Sequence, residues 1–162
     1  MGFMAAGKST IGEALARELG WPFIDIDLEI ERQEQLTISQ LFRERGELAF
    51  RDLETAMIRR RVNTIRAGIP SVVALGGGAF VQPQNWELLE NNGVTIWLDC
   101  PFDLVCRRLN GDLTRPLAQD LSRLAQIFED RRPLYSRADF RLEITTEDVC
   151  GTVERILQLP LF

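Results

Sequence analysis

The run GFMAAGKS at residues 2–9 sets two glycines, a lysine and a hydroxyl in the order G-x-x-x-x-G-K-[ST], a spacing suited to holding phosphate. In such a loop the backbone N–H groups, with those of the helix that follows, surround phosphate oxygens. This assigns phosphate contacts to Gly2, Ala5, Ala6, Gly7 and Thr10. Lys8 supplies a compact positive charge that reaches the β- and γ-phosphates, and the Ser9 hydroxyl is a ligand for Mg²⁺. Of 19 basic residues only Lys8 is a lysine, and it falls at the one position where the motif needs it.

Three further groupings carry polar chemistry. Asp25 and Asp27 lie two apart at the end of an expected strand, so both side chains face one side, toward the crevice at the strands' C-terminal ends. Arg51 and Glu54 stand at i and i+3 of an expected helix, where one can orient the other. Gly76, Gly77 and Gly78 follow an apolar strand, and three residues without Cβ let backbone approach a ligand closely. Taken singly, these groupings also read as a solvated turn, a surface ion pair and a tight turn.

The elements that must position them follow from periodicity and punctuation. Apolar spacings of four with Gly20 as a stop predict a helix over 9–19, followed by a buried strand over 21–27. Helices are predicted over 37–46, with Thr37 as N-cap, and over 48–67, ended by Gly68 and Pro70. A β-branched strand over 71–75 precedes a helix over 83–91, a strand over 94–99 and a helix over 102–109. After a polar segment over 110–120 come a helix through Arg131, a strand over 140–144 and a helix over 149–157. Alternation of this kind predicts an α/β fold of three layers, a parallel sheet with helices on both faces. The phosphate loop should follow a strand, yet Met1 directly precedes Gly2, so that first strand is absent from this chain. The reading frame is expected to start upstream by about six to ten residues, enough for one strand inside the sheet. Ala5 carries a Cβ in a tight loop, which costs on the order of 1 kcal/mol if its φ is positive.

Composition excludes several classes. The 162 residues fit one domain, 1–162, with 45% hydrophobic and 27% charged residues, as in an ordinary globular protein. No apolar run reaches the length of a membrane span, and residues 1–20 carry four charges and no signal-peptide core, so the expected compartment is the cytoplasm. Cys100, Cys106 and Cys150 form no CxxC pair and the chain has no histidine, which argues against zinc. A net charge of −5 argues against nucleic acid, and the run Arg59, Arg60, Arg61 reads as a solvated helix face.

The ordered motifs GKSTIG, FIDID, GELAFRDLE, LGGGAF, RPL and DRRPLY together resemble the shikimate kinases over essentially the whole chain. The resemblance implies a P-loop NTPase-like fold and transfer of the γ-phosphate of ATP to the 3-hydroxyl of shikimate, with ATP and Mg²⁺ as cofactors. By that resemblance Asp27 binds the acceptor hydroxyls and assists deprotonation, and Asp25 helps hold the metal. Arg51 clamps the acceptor carboxylate, a role to which a guanidinium fork is suited, with Glu54 orienting it. Gly76, Gly77 and Gly78 lie beside the acceptor and the γ-phosphate. Arg115 belongs to a lid around 110–122 that closes over the phosphates, and Arg131 is the second carboxylate clamp, with the adjacent Arg132 open to the same role. Arg108 faces the adenine or is a helix-surface arginine. The resemblance also places a substrate-binding segment around 28–60 and leads to the expectation of a monomer. A sister kinase of another hydroxylated acid such as gluconate, or an inactive kinase-like module that binds shikimate, are the alternatives.

Overall fold

Short apolar runs between amphipathic ones give four strands and seven helices in the computed structural model, which describes residues 1–109 and 120–160. In chain order these are α1 (Lys8–Leu19), β1 (Phe23–Asp25), α2 (Ile26–Glu34), α3 (Ile38–Arg66), β2 (Val72–Ala74) and α4 (Pro83–Leu89). There follow β3 (Ile96–Asp99), α5 (Phe102–Leu109), α6 (Leu121–Tyr135), β4 (Phe140–Glu143) and α7 (Val149–Leu157). The predicted lid, Arg115 included, lies mostly outside the described residues.

Both strand pairs are parallel. β1 pairs β2 in the register Phe23 with Val72 and Asp25 with Ala74, and β3 pairs β4 from Ile96 with Phe140 to Asp99 with Glu143. Parallel pairing requires crossovers, and α2–α3 and α5–α6 supply them. The sheet is interrupted between β2 and β3. Met1 lies beside β3, its backbone bonded to Ile96 and Leu98.

α1 buries Ile11, Leu15 and Ala16 against this sheet and ends where Gly20 takes a left-handed φ of 66°. Full burial of each large aliphatic side chain contributes about 1.5–3 kcal/mol. Gly12 sits mid-helix because a Cβ there would lie 2.5 Å from the Phe23 ring, so helix and strand pack backbone to ring. No described helix is long and apolar enough to cross a membrane.

Some predicted elements differ in extent. The strand expected over 21–27 stops at Asp25, whose carboxylate accepts from the N–H groups of Asp27 and Leu28 and caps α2, a helix the periodicity did not reveal. Asp27 therefore stands in the first turn of a helix rather than on a strand. As expected, α3 is two helices, entered through a Thr37–Gln40 capping box and separated at Gly46, where φ 81° and ψ 170° are not helical. Finally, α6 passes Arg131 and continues through Pro133 to Tyr135.

Candidate active site

The phosphate loop joins Met1 to α1 and takes its shape from three positive φ angles: Gly2 at 149°, Ala5 at 57° and Gly7 at 88°. Gly2 admits no side chain, since a Cβ would lie 2.7 Å from the Leu98 carbonyl oxygen. Ala6 is fully buried, whereas Thr10 opens to solvent on the first turn of α1. Lys8 Nζ donates to the Phe3 carbonyl at 2.9 Å, which bends the ammonium back over the loop it serves. Across the loop, Arg108 donates to the Ala5 carbonyl at 2.9 Å and its Nε lies 3.6 Å from Glu147. A surface depression lined by Gly7, Thr10, Arg108, Thr146 and Asp148 continues outward from there.

Ser9 and Asp25 meet at the start of α1 and the end of β1, with Ser9 Oγ donating to Asp25 Oδ2 at 2.6 Å. Two hard oxygens this close, one anionic, fit Mg²⁺, which takes one or two carboxylates and completes its shell with water and phosphate. Among the described residues no cluster of three or more His, Cys, Asp or Glu side chains could hold a metal unaided.

The triple-glycine turn after β2 is a second centre of close contacts. A Cβ on Gly76 would lie 2.7 Å from Asp27 Oδ1 and 3.0 Å from Glu54 Oε1. On Gly77 it would be 3.5 Å from the Arg131 guanidinium, and on Gly78 it would be 2.6 Å from that of Arg51. All three glycines have ordinary negative or extended φ, so close approach rather than backbone conformation requires them. The turn thus gathers side chains from α2, α3 and α6 around one point.

Burial sets the electrostatics there. Asp27 is raised above the usual carboxylate range, first by burial and then by the neighbouring Asp25 charge, and its Oδ1 has no hydrogen-bond partner. Glu54, fully buried, is pushed up to about 7 by burial, against the pull of Arg51. Arg51 is held on both sides, its Nη1 donating to Glu54 at 2.9 Å and its Nη2 to Glu47 at 3.1 Å. One face of its guanidinium also lies 5.1 Å from the Phe50 ring centroid.

Arg131 and Arg132 separate cleanly. Arg131 points to Gly77 and lies 5.9 Å from the Phe3 ring, whereas Arg132 bonds Asp99 through both terminal nitrogens, at 3.0 and 3.2 Å. Two side chains that the sequence reading did not assign complete the site. Glu47 is the second partner of Arg51, and Tyr135, the only tyrosine in the chain, donates its buried hydroxyl to the Gly77 carbonyl at 2.5 Å. Its place at the end of DRRPLY was the available signal, since a buried tyrosine needs a polar partner. Arg115 lies outside the described residues.

A P-loop at a helix N-terminus, a Ser–Asp pair suited to Mg²⁺ and two arginines beside a buried carboxylate define a P-loop small-molecule kinase. Comparison with known proteins narrows the class. The shikimate kinase family model matches residues 4–159. A shikimate kinase of Persephonella marina is 40% identical over 158 residues, covering 97% of this chain and 94% of that protein. Among solved structures, the shikimate kinase of Acinetobacter baumannii in complex with shikimate is 35% identical with a TM-score of 0.87, covering 98% of this chain and 88% of that one. The enzyme of Bacteroides thetaiotaomicron gives 32% and 0.86, covering 98% and 94%. The chain belongs to the shikimate kinase family.

Proposed function

We propose that the site transfers the γ-phosphate of ATP to the 3-hydroxyl of shikimate, giving shikimate 3-phosphate and ADP. The observation that carries this reading is the triple-glycine turn, which brings two carboxylates, Asp27 and Glu54, and two arginines, Arg51 and Arg131, close to one stretch of backbone. Arg51 and Arg131 grip the acceptor carboxylate, and the double anchoring of Arg51 by Glu54 and Glu47 fixes its fork beforehand. Asp27, made more basic by burial, accepts the proton of the 3-hydroxyl as that oxygen bonds to γ-phosphorus and the bond to the bridging oxygen of ADP breaks. Lys8 and the N–H groups of Gly2, Ala5, Ala6, Gly7, Ser9 and Thr10 hold the phosphates, while Arg108 borders the nucleotide base and Arg115 closes over the transferred group. Ser9 and Asp25 hold Mg²⁺, which screens charge on the phosphates when bound. One copy of the chain carries the acceptor and phosphate groups together, in keeping with a one-domain monomer, and the compartment we propose is the cytoplasm.

An ADP-release assay with ATP and Mg²⁺ tests the reading. Turnover with shikimate and none with gluconate is expected, and turnover with gluconate alone would assign the chain to a different acceptor. In the same assay Arg51→Ala should raise the KM for shikimate about tenfold or more and leave that for ATP nearly unchanged, whereas Lys8→Ala should act mainly on kcat.

A further inference from the structure

The last turns of α6 carry two neighbouring arginines that face different ways. Successive side chains of a helix stand about 100° apart, so a rotation of α6 by that amount would turn Arg132 toward the place beside Gly77 that Arg131 holds. The backbone there is one hydrogen bond short. Pro133 has no N–H to donate to Glu129, and its ring crowds that carbonyl.

Side chains on two flanks hold the turn instead. On one flank the Tyr135 hydroxyl donates to the Gly77 carbonyl. On the other, Arg132 lays its fork on Asp99, Nη1 to Oδ1 at 3.0 Å and Nη2 to Oδ2 at 3.2 Å. Arg141 of β4 donates through Nε to the same Oδ2 at 2.8 Å. Both guanidinium groups lie over Trp97, 5.4 and 5.3 Å from its ring centroid, and Arg132 also lies 5.5 Å from that of Phe128.

Asp99 is only 6% exposed, so its charge is unfavourable unless paired. Stability alone does not call for such a group, because apolar side chains of similar volume often match or exceed a buried ion pair. What a two-point bond adds is a fixed angle. Here that angle is the phase of α6, and the direction of Arg131, one residue away, follows from it.

We propose that Asp99 is a positioning residue for the transfer reaction: by holding the Arg132 fork, it sets the phase of α6 so that Arg131 rather than Arg132 meets the acceptor carboxylate. Asp99 acts through Arg132 in this role and needs no contact with substrate. The inference rests on the role proposed above for Arg131.

Steady-state kinetics of the full chain, varying each substrate in turn, test it. Asp99→Asn keeps the side-chain shape and removes the charge, whereas Arg132→Met keeps an apolar stem over Trp97 and Phe128 and removes the fork. Each should raise the KM for shikimate about tenfold and leave that for ATP within about twofold of the native value. In the Arg131→Ala chain neither substitution should raise the shikimate KM further, because the three residues act in series. A lower Tm with the native shikimate KM would overturn the proposal, as would effects that multiply with that of Arg131→Ala. Failure of the underlying reading shows separately, as a native shikimate KM in Arg131→Ala itself, and that result would remove the clamp and this inference together.

Discussion

Ala5 holds a φ of 57°, in the left-handed region where a Cβ crowds the following carbonyl, and nothing about its methyl contributes to the phosphate chemistry. Ala5→Gly should therefore raise the unfolding free energy by about 1 kcal/mol, read as a higher urea midpoint at unchanged slope, with ATP binding retained. A midpoint that falls would mean that the methyl packing matters more than the strain. Glu54 poses the opposite problem, a carboxyl moved from its ordinary 4.5 up to about 7 by burial. Between those values the folded chain binds more protons at Glu54 than the unfolded chain, so this group's contribution to stability is complete below about 4.5 and is lost as pH rises through about 7. The Glu54→Gln chain should lack that decline. The difference between the two unfolding free energies should change by on the order of 1–3 kcal/mol between pH 5 and pH 7.5, the native chain losing stability relative to Glu54→Gln, and parallel profiles would remove the assignment.

At the scale of elements, the turn after β2 depends on the absence of side chains and on the end of α6 that presses on it. A Cβ at Gly78 would stand within 2.6–2.8 Å of three atoms of the Arg51 guanidinium, so Gly78→Ala should push that fork off the position proposed for gripping the acceptor carboxylate. The expected result is a rise of about tenfold in the KM for shikimate with the ATP KM unchanged, and an effect on ATP instead would place the turn elsewhere in the reaction. Tyr135 acts through its hydrogen bond to the Gly77 carbonyl, which Tyr135→Phe would leave without that donor. The cost should be about 1–3 kcal/mol of stability, together with a weaker hold on shikimate, seen in urea titrations and in KM. The glycines were legible in the sequence because a tight turn after an apolar strand is made with one glycine, and three in a row mark a place where other groups come close to the backbone. The tyrosine was less so, since nothing in its spacing says which carbonyl it will find. Likewise the run FIDID is apolar enough for a continued strand, and only the local hydrogen bonds of Asp25 convert its second half into α2.

Seen whole, the molecule has two parallel strand pairs, and the proposed acceptor site draws on both sides of the interruption between them. Asp27, Arg51, Glu54 and the glycine turn belong with β1 and β2, whereas Arg131 and Tyr135 come from α6, the crossover between β3 and β4. The parallel α/β architecture and nearly every element could be read from periodicity, because burial on both faces leaves continuous apolar strands between amphipathic helices. The juxtaposition of Glu54 with Asp27 and of Arg131 with Gly77 could not, since those pairs are separated by long stretches of chain and meet only through tertiary packing. A ligand held by both groups should therefore stabilise both halves together. At a shikimate concentration 100 times its Kd the folded state gains about 2.7 kcal/mol by mass action, which for a chain of this size is about 5–11 °C in Tm. Arg131→Ala should remove most of that gain at the same concentration. Hydrogen exchange distinguishes bridging from one-sided binding: shikimate should slow exchange both in 23–78 and in 121–135. Protection confined to 23–78 would show that α6 takes no part in holding the acceptor.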